Sequence, residues 1–119
     1  MDKVFVYGTL KRGSWNNALL GDSRFLGEGW VKDFLLYSTG IPFAVPTPNS
    51  RMLLAGEVYE VDEKTLTRLD LLEGHPNAYK REIFDVLLKS GEVTRAWVYT
   101  HPPLDDNHIV YGEVSWKTG

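Results

Sequence analysis

The carboxylate at position 73 is out of keeping with its neighbours, and it is the first candidate for chemistry. Asp62 suits a helix N-cap, Glu63 suits the first turn and Gly74 suits a helix stop, so residues 62–74 read as a helix. Within it Leu66, Leu69 and Glu73 stand at i, i+3 and i+7, which puts the glutamate on the face of two core leucines. A carboxyl placed there loses water by burial and meets the negative end of the helix dipole, and both effects disfavour its charge. Its pKa should be raised, which suits a group that takes a proton and returns it near neutral pH. The plainer reading of the same residue is a frayed helix end, with Glu73 turned to solvent or paired with Lys80 or Arg81.

A second candidate lies near the start of the chain. In "VFVYGTLKRG", Val4 to Gly13, an apolar run stops at Gly8 and passes into a basic turn. Backbone N–H groups of Gly8, Thr9 and Leu10 at such a turn can form a pocket for a carboxylate or carbonyl oxygen, and glycine lets a ligand approach the backbone. The stretch also approximates a phosphate-binding loop, but Ser14 stands where the lysine must be and no long βαβ pattern follows, which rejects a nucleotide. Taken alone it is an ordinary connection with Lys11 and Arg12 on the surface.

Beyond the helix, "HPNAYKR" places Tyr79 and Arg81 just ahead of a strand, where a phenol and a guanidinium can face Glu73 or a ligand. Their ordinary roles would be rim packing and a surface ion pair. His75, His101 and His108 lack metal-ligand spacing and read as loop residues, so no metal is expected. Ser14, Ser23, Ser38 and Thr9 carry hydroxyls, but no G-x-S-x-G elbow presents any of them as a nucleophile. Trp30, Trp97 and Trp116, with Tyr37, Tyr59 and Tyr99, are assigned to packing.

The elements that must position these groups follow from pattern. Residues 3–7 read as a strand, and a short helix is expected over residues 15–20, capped by Ser14 and closed by Gly21. Residues 29–36 and 52–61 read as strands, while "STGIPFAVPTPNS" between them, with Pro42, Pro46 and Pro48, is expected to be a structured loop. Residues 81–88 should pair with 93–100 as a hairpin through Lys89-Ser90-Gly91-Glu92. The tail ends in "IVYGEVSW", apolar enough to pack back on the domain. Many short strands with two helices indicate a strongly curved sheet or a small barrel.

With 119 residues the chain makes one domain, residues 1–119. There are no cysteines, which excludes disulfides, thiolate nucleophiles and cysteine metal sites. A net charge of −3 without a basic stripe argues against nucleic acid as a partner. No apolar run approaches the ~20 residues of a membrane span, and no secretory leader pattern opens the chain, so a soluble cytoplasmic protein is expected. A self-contained domain of this kind is expected to be a monomer.

Together, "VFVYGTLKRG", "GEVYEVDEKTLTRLDLLEG" and "AYKR" closely resemble the γ-glutamylcyclotransferase-like family, nearest its small members of the γ-glutamylamine cyclotransferase type with Y-G-T-L. The resemblance implies an α+β fold, a small mixed β-barrel with short helices packed on it, whose cavity takes a small-molecule γ-glutamyl substrate. It puts the family's substrate-binding loop on Tyr7, Gly8, Thr9 and Leu10, its acidic catalytic residue on Glu73, and its cavity-facing tyrosine on Tyr79. Pro42 and Phe43 replace the family's common tyrosine-proline pair, and "GEVSW" stands where many bacterial relatives read G-D-W. The implied reaction closes the glutamyl α-amine onto its own γ-carbonyl, forming 5-oxoproline and freeing an amine, with Glu73 as general base and acid. No cofactor is implied. Two other readings remain open at this level: a non-catalytic module that binds a small metabolite in the same fold, and an acid–base enzyme acting on another amide.

Overall fold

Five strands close on themselves to make the body of the molecule. In this computed structural model, which describes residues 1–13, 17–38 and 42–101, the strands are β1 (Asp2–Val6), β2 (Arg24–Lys32), β3 (Phe34–Ser38), β4 (Pro42–Pro46), β5 (Leu53–Val61), β6 (Lys80–Leu88) and β7 (Val93–Thr100). The helix α1 covers Glu63–Glu73. The barrel runs β1-β5-β2-β6-β7, and a parallel pairing of β1 with β7, Val4 opposite Trp97 and Phe5 opposite Val98, seals it. β3 and β4 form a separate two-stranded ribbon.

The apolar run at the start of the chain is explained by this closure. Phe5 points into the barrel core with Val31, Phe34, Leu54, Val58 and Val98, while Val4 and Val6 pack on the other face with Leu66 and Leu69 of α1. Both faces of β1 are therefore covered, and a strand covered on both faces carries consecutive rather than alternating apolar residues. Each such fully buried side chain contributes about 1.5–3 kcal/mol. Curvature depends on two glycines that face each other across β2 and β5: a Cβ on Gly29 would lie 2.6 Å from the Leu87 carbonyl oxygen, and one on Gly56 would strike the Val6 carbonyl and the Phe5 ring.

The helix begins and ends as its sequence indicates. Asp62 accepts a hydrogen bond from the Thr65 N–H at 2.8 Å, and Gly74 ends the helix in the left-handed conformation at φ 66°. The hairpin also pairs as expected, from Lys80 opposite Thr100 to Leu87 opposite Val93.

Three expectations are corrected. The strand expected over residues 29–36 is two strands, because Asp33 turns the chain at φ 66°, and the first of them begins earlier, at Arg24. Part of the expected loop is β4, with Pro42 and Pro46 at the ends of a two-stranded ribbon, where a missing N–H disturbs pairing least. The short helix is a 3-10 turn, Asn17–Leu20, closed at Gly21 with φ 54°; one turn is the usual length of that form. Ser14, Trp15, His108, Trp116 and the tail from residue 102 lie outside the described residues.

Candidate active site

Glu73, the last residue of α1, is partly buried, and burial alone pushes its carboxyl up from 4.5 to about 7. Its charge also raises the pKa values of Tyr7, Tyr79 and Tyr99, although burial is the larger cause at each. Three elements of distant sequence thus bring three phenols around one carboxyl: the end of β1, the approach to β6, and β7. Among the described residues no donor makes a hydrogen bond to the Glu73 side chain, and it forms no ion pair with Lys80 or Arg81.

Tyr7 is fixed at both sides of its hydroxyl, which donates to the Tyr99 carbonyl at 2.8 Å and accepts from the Ala44 N–H at 3.1 Å. Burial pushes this phenol far above its ordinary range, so it stays neutral. Directly after it, Gly8–Leu10 form a 3-10 turn with Gly8 at φ 68°, a conformation that favours glycine, and the Lys11 N–H bonds back to the Gly8 carbonyl at 3.2 Å. Tyr79 donates its backbone N–H to the Glu73 carbonyl at 3.1 Å and stands edge-on to His101 with centroids 5.5 Å apart.

A tether holds the turn against the barrel. Glu57 on β5, buried at 6% exposure, accepts the Arg12 N–H at 2.9 Å, the Arg12 Nε–H at 3.4 Å and the Tyr59 hydroxyl at 3.2 Å. Asn17 donates to the Leu10 carbonyl at 2.9 Å and to the Tyr59 hydroxyl at 3.3 Å, so one network fastens the C-terminal end of the turn and the residues that follow it. Lys11, expected on the surface, is buried; burial lowers its pKa, and Glu57 and Glu28 oppose that shift. Arg12 does reach the surface, with its guanidinium 4.1 Å from the Phe25 ring centroid.

Arg81 has gone elsewhere. Its Nε–H and Nη–H groups grip Asp70 at 2.8 and 3.2 Å, and its guanidinium lies 4.3 Å from the Trp97 ring centroid. The Tyr99 hydroxyl also donates to Asp70, at 2.6 Å. Burial opposes the charge on Asp70, but these hydrogen bonds and the Arg81 charge outweigh it and hold the carboxyl below its ordinary value. The Arg81 N–H donates to Nδ1 of His75 at 3.2 Å. Tyr59 and Tyr99 therefore do more than pack, and Trp97 donates its Nε1–H to Asp2 at 3.4 Å.

Sequence reasoning missed Glu57 and Asp70. The signal for Glu57 was available: a carboxylate two residues before Tyr59, in a strand whose other members are nearly all apolar. Asp70 had a weaker one, the acid a turn before Glu73, with nothing local to reveal that Arg81 would close on it. Among the described residues no group of three or more His, Cys, Asp or Glu is arranged to hold a metal, and no helix is long and apolar enough to cross a membrane.

The fold is a small closed barrel whose packed helix ends in a partly buried carboxyl pushed up by burial. The chain belongs to the gamma-glutamyl cyclotransferase, AIG2-like family, whose family model matches residues 4–118. It is 45% identical over 104 residues to a Methanocaldococcus jannaschii protein named "Putative gamma-glutamylcyclotransferase", covering 86% of each chain. It is 41% identical over 95 residues to the gamma-glutamylaminecyclotransferase of Rattus norvegicus, covering 72% of this chain and 64% of the rat protein. The crystal structure of an AIG2-like protein from Mus musculus superposes with a TM-score of 0.87 at 32% identity, covering 98% of this chain and 88% of the mouse one. The mixed barrel with its packed helix, expected from the resemblance, is the observed fold, and the enzyme class is that of the gamma-glutamylcyclotransferases.

Proposed function

We propose that this chain cyclises γ-glutamyl amines, releasing 5-oxoproline and a free amine, with Glu73 as the proton carrier. The observation that carries the reading is the Glu73 carboxyl itself, partly buried and without a donor among the described residues, a setting in which burial pushes it up to about 7. The substrate's α-ammonium gives a proton to Glu73, and the freed amine attacks the γ-carbonyl carbon to form the ring C–N bond. As the bond from that carbon to the leaving nitrogen breaks, Glu73 returns the proton to the departing amine, then takes the second proton from the ring nitrogen, which the released amine receives in becoming an ammonium. The nucleophile belongs to the substrate, so the protein needs neither a cysteine nor a serine elbow.

Ring closure is already intramolecular, and holding the reacting atoms in line can supply ~7–11 kcal/mol of the barrier. The N–H groups of the Gly8–Leu10 turn, including that of Thr9, would hold the glutamyl end, with Tyr7 and Tyr79 walling the cavity. Donors aimed at the γ-carbonyl oxygen would also stabilise the charge that develops on it. The names of the rat and human relatives, both gamma-glutamylaminecyclotransferases, support an amine as the leaving group. We read the chain as one domain acting in the cytoplasm as a monomer; the last of these is supported by the closed barrel, which leaves no free strand edge among its five strands.

The test is 5-oxoproline release, by mass spectrometry, from a panel of γ-glutamyl amines and γ-glutamyl peptides. Native protein should release it and Glu73→Gln should lose at least ~100-fold in rate, the low end of general acid–base contributions. Equal rates in both would remove Glu73 from the mechanism. Release from peptides alone would overturn the amine preference.

A further inference from the structure

The inward face of β6 changes character along its length. Alternation puts Lys80, Glu82, Phe84, Val86 and Leu88 on one side of the strand, and the last three pack into or against the barrel core. Two opposite charges therefore stand where that core gives way to the barrel mouth. Both line a cleft of about 380 Å³, which is walled by Pro46 of the ribbon and Pro76 of the loop after α1 and flanked by Thr100 and His101. A volume of that size suits a small molecule. Among the described residues Lys80 and Glu82 form no ion pair, and the Glu82 carboxylate meets only the Thr100 hydroxyl, at 3.4 Å.

Two sets of contacts join the cleft to the groups around Glu73. The His101 ring stands edge-on to Tyr79 at 5.5 Å, and the Tyr79 N–H is held by the Glu73 carbonyl at 3.1 Å. On the other side the His101 N–H donates to the Ala44 carbonyl, and the Ala44 N–H donates to the Tyr7 hydroxyl. β1 and β7 run parallel and β6 runs against them, so Tyr7, His101 and Lys80 all stand at one end of the barrel.

We propose that this cleft receives the far end of the leaving amine, and that Lys80 and Glu82 are specificity-determining residues that favour an amine carrying an ammonium and a carboxylate together over a plain alkylamine. Residues two apart on a strand are about 6.5 Å apart, a span that lets one dipolar group give its ammonium to Glu82 and its carboxylate to Lys80. A tail with a single charge meets one attraction and one repulsion. A plain alkyl tail gains neither, and leaves both side chains to water.

The inference rests on the proposed cyclisation and names what the departing amine carries. Its test compares four γ-glutamyl amides whose leaving amines differ only at the far end: neutral, ammonium, carboxylate, or both charges. Native protein should show its highest kcat/KM with the dipolar amide. Glu82→Gln should lower that value ~3–10-fold, as partly exposed charge pairs allow, and should raise it for the carboxylate-only amide by removing a repulsion. Lys80→Gln should lower the dipolar amide likewise and raise the ammonium-only one. These changes should lie in KM, because the tail is held equally before and during the reaction. Both side chains are exposed, so both variants should fold. A merely structural role would scale all four substrates together; an unchanged ranking in both variants, or a native preference for the neutral amide, overturns the proposal. If native protein releases no 5-oxoproline from any of the four, the cyclisation itself fails. Amide NMR with the uncleaved dipolar amide then decides the cleft: shifts at Lys80, Glu82 and Thr100 that vanish in Glu82→Gln support the site, and their absence overturns it.

Discussion

The carboxyl of Glu73 makes the folded chain less stable than it would be with a neutral side chain there. Its folded pKa of about 7 lies above the ordinary value of 4.5, so the unfolded chain releases this proton first as pH rises. Stability from this group is therefore complete below about pH 4.5, declines as pH rises through the interval to about 7, and is constant above it. A shift of this size corresponds to on the order of 3 kcal/mol. Glu73→Gln should melt higher than native protein at pH 8 by up to that free energy, with the difference vanishing near pH 4. Calorimetry at the two pH values checks it, and a variant less stable at pH 8 would show that the carboxyl is not strained by burial. Glu73 was legible in the sequence because its oddity is local, a charge on the face of two leucines within eight residues. Asp70 and Glu57 were not, because their partners stand 11 and 45 positions away and only the fold brings them together.

At the scale of elements, the turn Gly8–Leu10 gets its shape from outside itself. Three residues of 3-10 turn have little stability of their own, and the Glu57 tether supplies what is missing. Glu57→Ala would leave the Arg12 N–H and the Tyr59 hydroxyl without their acceptor; hydrogen bonds to a charged group contribute about 1.5–3 kcal/mol each. Substrate binding should suffer more than chemistry, with KM rising at least ~10-fold, equivalent to about 1.4 kcal/mol, and kcat falling less. Steady-state kinetics separates the two, and a loss confined to kcat would place Glu57 in the reaction rather than in the turn. The helix and the hairpin were readable end to end, since caps and turn residues act over four or five positions. β4 was not, because three prolines in seven residues look like a loop until pairing with β3 puts two of them at strand ends.

The whole molecule depends on a contact between its two distant parts. β1 pairs with β7, and Val4 meets Trp97 across almost the entire described chain. Loops that long must close before their contacts repay the entropy, and folds dominated by non-local pairing fold in milliseconds to seconds. Refolding by stopped-flow tryptophan fluorescence should fall in that range; microsecond folding would mean that the barrel is not sealed by this seam. Composition and strand density made a barrel legible, but not its strand order, because nothing local in β1 shows that it has two partners.

Ala44 is the place where the outlying ribbon meets this body. Its N–H is given to the Tyr7 hydroxyl and its carbonyl accepts the His101 N–H at 2.9 Å, so the ribbon is moored by the main chain of a residue with no chemistry in its side chain. A mooring of that kind is blind to most of the letters on either side of it. Evolution, or an engineer, can rewrite the ribbon's solvent-facing residues without reopening the question of where the ribbon sits.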